Sequence, residues 1–190
     1  MSDNLLKEIV HDQNDFIDDI QYDYKNEILV NKNKNLNDIE NKVENFYDTI
    51  TFPNYENDDT LSDLVKKSNN NPLIKSFCID SKMKKKVLEV GSGSCQLSNY
   101  LAAVSTHKIY ALDLSFNALK EGRKFFKNNI NNKSLVFCNF SIFENPFKAR
   151  TMDYIFALGC LHHTYDTKKA FKEAANLLKD EGIIIVSLYN

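Results

Sequence analysis

Apolar residues follow two different rhythms along this chain. From residue 86 onward, short apolar runs alternate with stretches of helical periodicity. The runs predict strands at about 86–91, 108–113, 134–138, 153–158 and 182–188, and the stretches between them predict helices at about 94–104, 115–130 and 167–179. Each run is continuously apolar, as expected when both faces of a sheet are covered. Ser115 is placed to cap the second helix and Gly182 to end the third. Alternating units of this length imply right-handed crossovers and a parallel sheet.

Before residue 72 the pattern is looser. Leu5, Leu6, Ile9 and Val10, then Phe16, Ile17 and Ile20, keep helical spacing, and Asn31-Lys-Asn-Lys-Asn35 interrupts it as a loop. Phe46-Tyr47, Ile50 and Phe52-Pro-Asn-Tyr55 form an aromatic stretch. Leu61, Leu64 and Val65 predict a short helix capped by Asp59 or Thr60, and Pro72 opens another that runs toward Phe77. The chain therefore divides into a helical, polar N-terminal extension over 1–71 and an α/β domain over 72–190. The last strand, Gly182-Ile-Ile-Ile-Val-Ser-Leu-Tyr189, is strongly apolar and the sequence stops one residue later. An uncovered strand of that kind exposes unpaired backbone, so further C-terminal strands are expected in the natural protein.

Composition narrows the function classes. A formal charge of −2 over 190 residues gives no field that favours nucleic acid or an acidic membrane. The basic run Lys82-Met-Lys-Lys-Lys86 reads as a solvated entry to a strand. Cysteines 78, 95, 138 and 160 form no Cys-x-x-Cys pair, so they read as reduced, cytoplasmic thiols and not as a zinc site. No stretch approaches the ~20 apolar residues that span a bilayer. Oligomeric state leaves no mark on the sequence.

The chemistry concentrates at Val87-Leu-Glu-Val-Gly-Ser-Gly-Ser-Cys95, an apolar run, a Gly-x-Gly turn and then a helical pattern. Such a junction brings backbone N–H groups and a helix N-terminus up to a ligand. Asp113 ends the next apolar run about twenty residues on, where a carboxylate can accept hydrogen bonds from ribose hydroxyls. Together they predict a nucleoside-containing ligand at the C-terminal edge of the sheet. The dinucleotide pattern Gly-x-Gly-x-x-Gly fails, because Gln96 holds the third glycine slot. A Gly-x-Gly-x-Gly pattern departs at one place, Cys95.

Val87-Leu-Glu-Val-Gly-Ser-Gly-Ser resembles the first motif of the class I S-adenosylmethionine-dependent methyltransferases. Met152-Asp-Tyr-Ile-Phe-Ala-Leu-Gly-Cys-Leu-His-His163 resembles their fourth-strand motif, and Lys179-Asp-Glu-Gly182 their glycine turn before the fifth strand. The likeness covers roughly residues 72–190 and looks closest to the quinone and lipid branch. It implies a Rossmann-like, doubly wound, mostly parallel sheet with strand order 3-2-1-4-5. It implies S-adenosyl-L-methionine as cofactor, with Glu89, Gly91, Ser92 and Gly93 around its methionine part. Asp113 would hold the ribose, Leu114 would pack on the adenine, and Leu158 would complete the wall. Where the family usually has the aspartate that binds the adenine amino group, this chain has Ser141, followed by Ile142, whose N–H can contact the ring; Asn139 takes the slot if the register shifts by two. A serine accepts that bond more weakly than a carboxylate.

Other candidates are weaker. Adjacent His162 and His163 face opposite ways in an extended segment, so with Asp166 they make no metal site, and either is at most a general base. Cys160 has no evident activating partner for a nucleophile. No catalytic residue and no metal ligand is assigned. Phe46, Tyr47, Phe52 and Tyr55 either pack on the domain or form a lid. Asn/Asp-Pro-Pro-Tyr is absent, which argues against methylation of nucleobase or amide nitrogens. The expected activity is methyl transfer to a small-molecule acceptor, with no nucleic acid and no membrane span; the alternative is a non-catalytic relative that kept the fold to bind a cofactor or a partner.

Overall fold

The apolar runs assemble into one sheet, and the sheet is larger than the sequence predicts. The structure is a computed structural model that describes residues 15–18, 21–56, 59–72, 74, 84–130 and 134–188. The first two strands, β1 (Tyr22–Lys25) and β2 (Ile28–Asn31), form an antiparallel hairpin within the segment expected to be helical. Asn26 and Glu27 both take left-handed backbone, with φ of 53° and 62°, as a tight type I′ connection requires. Asparagine tolerates that conformation, and the flanking residues Tyr22-Asp-Tyr-Lys25 alternate. Helices α1 (Asp38–Thr49) and α2 (Leu61–Asn69) follow. Thr60 caps α2 through its hydroxyl and Asp63, and Asn37 with Glu40 makes the same reciprocal box at α1.

The α/β part then runs β3 (Lys86–Val90), α3 (Gln96–Val104), β4 (Lys108–Asp113), α4 (Phe116–Asn129), β5 (Leu135–Asn139), β6 (Met152–Leu158), α5 (Thr167–Asn176) and β7 (Leu178–Ser187). Ser115 caps α4 as expected. Gly182 does not end α5: the helix stops at Asn176, and Glu181 takes the left-handed turn, with φ 64°, at an irregularity inside β7. The sheet order is β1-β2-β5-β4-β3-β6-β7, parallel throughout except for the hairpin. The expected five-strand order thus sits inside a seven-stranded sheet, and the two added strands come from the N-terminal side. β7 is an edge, with Ile183 and the following Leu188 exposed.

Both faces are covered. Val87, Ile109, Ala111, Phe137 and Phe156 pack against α3 and α4, whereas Leu88, Tyr110, Leu112, Val136 and Ile155 pack against α5, Phe16 and Phe147. Every β4 position from Ile109 to Leu112 is buried, which is why that run reads as unbroken apolar. Phe16 bridges to Phe147 and stacks on it, with ring centroids 5.4 Å apart. Beside it Asp15, 1% exposed, accepts a bond from the Tyr110 hydroxyl at 2.5 Å and pairs with Lys86. The expected helical positions 5, 6, 9, 10 and 20, and most of the helix expected from Pro72 toward Phe77, lie outside the described residues.

Asp15 is the polar staple between the N-terminal segment and the underside of the sheet. Replacing it by alanine removes the carboxylate that the Tyr110 hydroxyl and Lys86 both meet. Asp15→Ala is expected to lower the urea unfolding free energy by about 2–4 kcal/mol. A change below ~0.5 kcal/mol would show that the staple contributes nothing.

Candidate functional site

β3 is buried over Val87–Val90 and ends directly beneath a cavity of about 460 Å³. The chain must turn sharply there to enter α3. Gly91 and Gly93 do so with φ of 65° and 51°. A Cβ at Gly91 would stand 2.3 Å from the Cys160 Cβ, and one at Gly93 would stand 1.9 Å from the Phe52 carbonyl oxygen. Cys95 follows with φ 61° and is fully buried. That conformation explains why glycine suits position 95; the thiol holds it at a cost of about 1 kcal/mol. The substitution does not disturb α3, which starts at Gln96.

The second acidic strand end meets this turn. Asp113 accepts hydrogen bonds from the Gly93 N–H at 2.7 Å and the Ser115 N–H at 2.8 Å. Burial pushes its carboxyl above the ordinary aspartate range, against the pull of those two bonds. Glu89, 8% exposed, accepts from the Ser98 N–H at 3.0 Å and from the Ser98 hydroxyl. Burial raises its carboxyl to about 7; the Ser98 bonds oppose that, and Asp113 nearby adds to it. The cavity is thus walled by two carboxylates on adjacent strands, a setting made for a ligand that carries hydroxyls and positive charge.

The next strand end contributes Ser141 and Ile142. Ser141 caps the 3₁₀ turn Ile142–Glu144 and donates its hydroxyl to Glu40 Oε1 at 2.5 Å. Asn139, the alternative in a shifted register, faces elsewhere: its amide donates to the carbonyls of Asp113 and Leu114 at 3.2 and 2.7 Å. It shapes the β4 turn and does not line the cavity. Glu89, Gly91, Ser92, Gly93, Asp113, Leu114, Ser141, Ile142 and Leu158 all line this one cavity.

The far wall comes from the N-terminal part of the chain. Glu40, Val43 and Tyr47 of α1, then Phe52 and Pro53, face the strand ends across the cavity. Asp48 accepts from the Ser115 hydroxyl and the Asn117 N–H, Phe52 O accepts from the Ser94 N–H at 3.3 Å, and Pro53 O accepts from the Ser94 hydroxyl. The four aromatics divide between their two readings. Tyr47 and Phe52 line the cavity; Tyr55 stacks on Phe125 at 4.3 Å, a packing contact worth about 1 kcal/mol; Phe46 is 56% exposed. The sequence by itself does not single out Glu40. The Asn37-x-x-Glu40 spacing marks a helix start, but nothing local tells that the carboxylate meets Ser141.

His163 and Thr164 also reach the cavity, with the Tyr47 ring 6.0 Å from that of His163. Partial burial and the neighbouring His162 hold the His163 imidazole below its ordinary value, so it is neutral at pH 7. The Cys160 thiol is pushed up to about 12 by burial and donates to Val90 O, so it is no nucleophile at neutral pH. Among the described residues no cluster of His, Cys, Asp or Glu could hold a metal, and no helix is long and apolar enough to cross a membrane.

Known proteins share this fold. The methyltransferase-domain family matches residues 88–186, just over half of the chain. A provisionally assigned S-adenosyl-L-methionine-dependent methyltransferase of Methanococcus maripaludis has the same fold, with 20% identity, TM-score 0.58, and 81% of this chain aligned to 66% of that one. Phosphoethanolamine N-methyltransferase 2 of Haemonchus contortus, solved with phosphomonomethylethanolamine and S-adenosylhomocysteine, aligns at 18% identity and TM-score 0.60 over 76% of this chain and 35% of its own. The [4+2]-cyclase SpnF aligns at 15% identity and TM-score 0.63 over 77% of this chain and 59% of its own. The chain therefore spans less than two thirds of the length of each.

The raised Glu89 carboxyl makes stability depend on pH in a defined direction. The folded protein keeps a proton that the unfolded chain releases between pH 4.5 and about 7. The contribution of this position is full below 4.5, falls across that window and is flat above it. Relative to Glu89→Gln, the wild type is expected to lose about 3 kcal/mol over that interval in urea unfolding. A wild-type-minus-variant difference that stays constant across the window would show an ordinary glutamate.

Proposed function

This chain belongs to the methyltransferase-domain family, and we propose that it binds S-adenosyl-L-methionine in the cavity above β3–β6 and passes the methyl group to a small-molecule acceptor. The observation that carries the reading is the Asp113 carboxylate, fixed by the Gly93 and Ser115 amides at the rim of a cavity large enough for one nucleoside-containing ligand. Each carboxylate oxygen has a second lone-pair site beyond the amide it accepts, enough for a ribose diol.

The residues fit the cofactor. Asp113 would hold the ribose, Leu114 and Ile142 would flank the base, and the Gly91–Gly93 turn would receive the methionine part near Glu89. Glu89 and Asp113 together supply negative potential to a cationic ligand, and that cation in turn favours their ionised forms. When bound, the cofactor supplies a methyl group already activated as a sulfonium, open to in-line displacement. The protein's share is alignment and exclusion of water, which the α1 wall and the Phe52–Pro53 segment are placed to provide. An acceptor that is a hydroxyl or an acidic carbon needs a base. His163, neutral and at the cavity wall, is suited to take that proton.

The quinone or lipid branch is one option for the acceptor. The alternative, a relative that binds cofactor without transferring methyl, predicts affinity with no turnover. The cyclase neighbour illustrates that this fold also serves other chemistry.

Calorimetric titration separates these readings. S-adenosylhomocysteine is expected to bind the wild-type chain, NADH is not, and Asp113→Ala is expected to weaken S-adenosylhomocysteine by about 10–100-fold, the loss of a charged hydrogen-bond acceptor. Equal affinity in wild type and variant would remove Asp113 from the site.

A further inference from the structure

We infer that Glu40, delivered by α1, reads the base of the bound nucleoside and makes the site selective for adenine over its 6-oxo counterpart. This inference rests on the cofactor reading above.

The three stations of the cavity rim follow the strand order. The glycine turn stands at the end of β3, Asp113 at the end of β4 and Ser141 just past the end of β5. Adjacent strands lie about 4.8 Å apart, close to the step from one part of an extended nucleoside to the next. A ligand with its sugar at Asp113 and its tail over the glycine turn puts its base beside Ser141, Ile142 and Glu40.

The groups there have a defined polarity. Glu40 is 6% exposed and lines the cavity, yet no cation pairs with it among the described residues. Its Oε2 is occupied by the capping box, accepting from the Asn37 N–H at 3.2 Å and the Asn37 amide at 2.7 Å. Among the described residues its Oε1 accepts the Ser141 hydroxyl alone. That hydroxyl in turn accepts the Phe143 N–H at 3.2 Å. One acceptor site on Oε1 is therefore left for a donor in the cavity. Ile142 opens the 3₁₀ turn, so its N–H has no partner within that turn. The wall presents an acceptor beside a donor.

Adenine presents the complement along one edge, an exocyclic N–H₂ beside the N1 acceptor. Hypoxanthine and guanine present the reverse, a carbonyl beside N1–H. A buried carboxylate facing a carbonyl oxygen leaves two acceptors opposed and unsolvated, which is how a built polar site rejects the wrong ligand. Glu40 also closes the α1 cap with its other oxygen, so the same side chain joins base recognition to the order of the cavity wall.

The test compares S-adenosylhomocysteine with its deaminated analogue, S-inosylhomocysteine, by calorimetric titration. The wild-type chain is expected to favour the adenosyl compound by at least tenfold. Glu40→Gln retains one carbonyl oxygen for the Asn37 cap and turns an N–H₂ toward Ser141, so it is expected to cut that preference several-fold or abolish it. Glu40→Asp keeps the charge and the cap but withdraws the carboxylate, and serves where the glutamine variant does not fold; it is expected to lose the preference as well. A ratio unchanged in a folded variant overturns the role of Glu40 and leaves the cofactor reading intact. A wild-type chain that binds both compounds equally also overturns it. Failure of the wild-type chain to bind S-adenosylhomocysteine at all removes the cofactor reading and this inference with it.

Discussion

The site depends on one carboxylate held by two backbone amides. Asp113 accepts from Gly93 on one side and from Ser115 on the other. That pair of bonds ties the turn after β3 to the start of α4, so two separate loops become one rim. The tie needs a turn without side chains, because Gly91 packs on Cys160 and Gly93 meets the Phe52 carbonyl. It also needs β3 and β4 in register, and the ladder supplies that by pairing Val90 with Leu112 one residue short of the turn. The buried Glu89 just upstream sits in the same low-dielectric patch. Hence the two carboxyls that burial raises among the described residues, Glu89 and Asp113, stand together at this rim.

The α/β part was legible in the sequence because its signal is physical and local. A strand covered on both faces must be continuously apolar, and Lys108–Asp113 and Met152–Leu158 appear almost where the runs predict them. The nine residues expected at the site share one cavity for the same reason, since parallel strands deliver their C-terminal ends to one rim. The hairpin was hidden. Ile28 and Leu29 are fully buried, but the ten residues of the hairpin carry three charges, the Ile-Leu-Val run of the second strand shows no alternation, and the connection is Asn-Glu in place of the usual Asn-Gly. Gly182 misled because a glycine after a helix normally stops it; here Glu181 takes the left-handed turn instead. The Glu40–Ser141 contact joins positions 101 residues apart, and no short-range pattern encodes such a meeting.

The N-terminal part is fastened to the rim at successive strand ends. Lys34 reaches the Leu114 carbonyl, Asp48 holds the start of α4, Phe52 and Pro53 sit on Ser94, and Glu40 meets Ser141. Floor and wall are therefore one structural unit. The wall also carries residues that differ in character from the floor, aromatic at Tyr47 and at Phe52, which is open to the surface. Small changes there would reshape what enters without touching the glycine turn.

The added hairpin has a consequence for how the protein is made. Its β2 strand leaves the ribosome early, yet its only parallel neighbour, β5, begins at Leu135. Roughly a hundred residues must be synthesised before that strand finds its place, which at typical elongation rates leaves it waiting for about 5–20 s. In that interval Ile28 and Leu29 are exposed on a two-stranded ribbon that is marginal by itself. Nascent chains of this protein should therefore draw chaperone attention early, and synonymous codon changes that slow translation between β2 and β5 should lower soluble yield while leaving the finished fold unaltered.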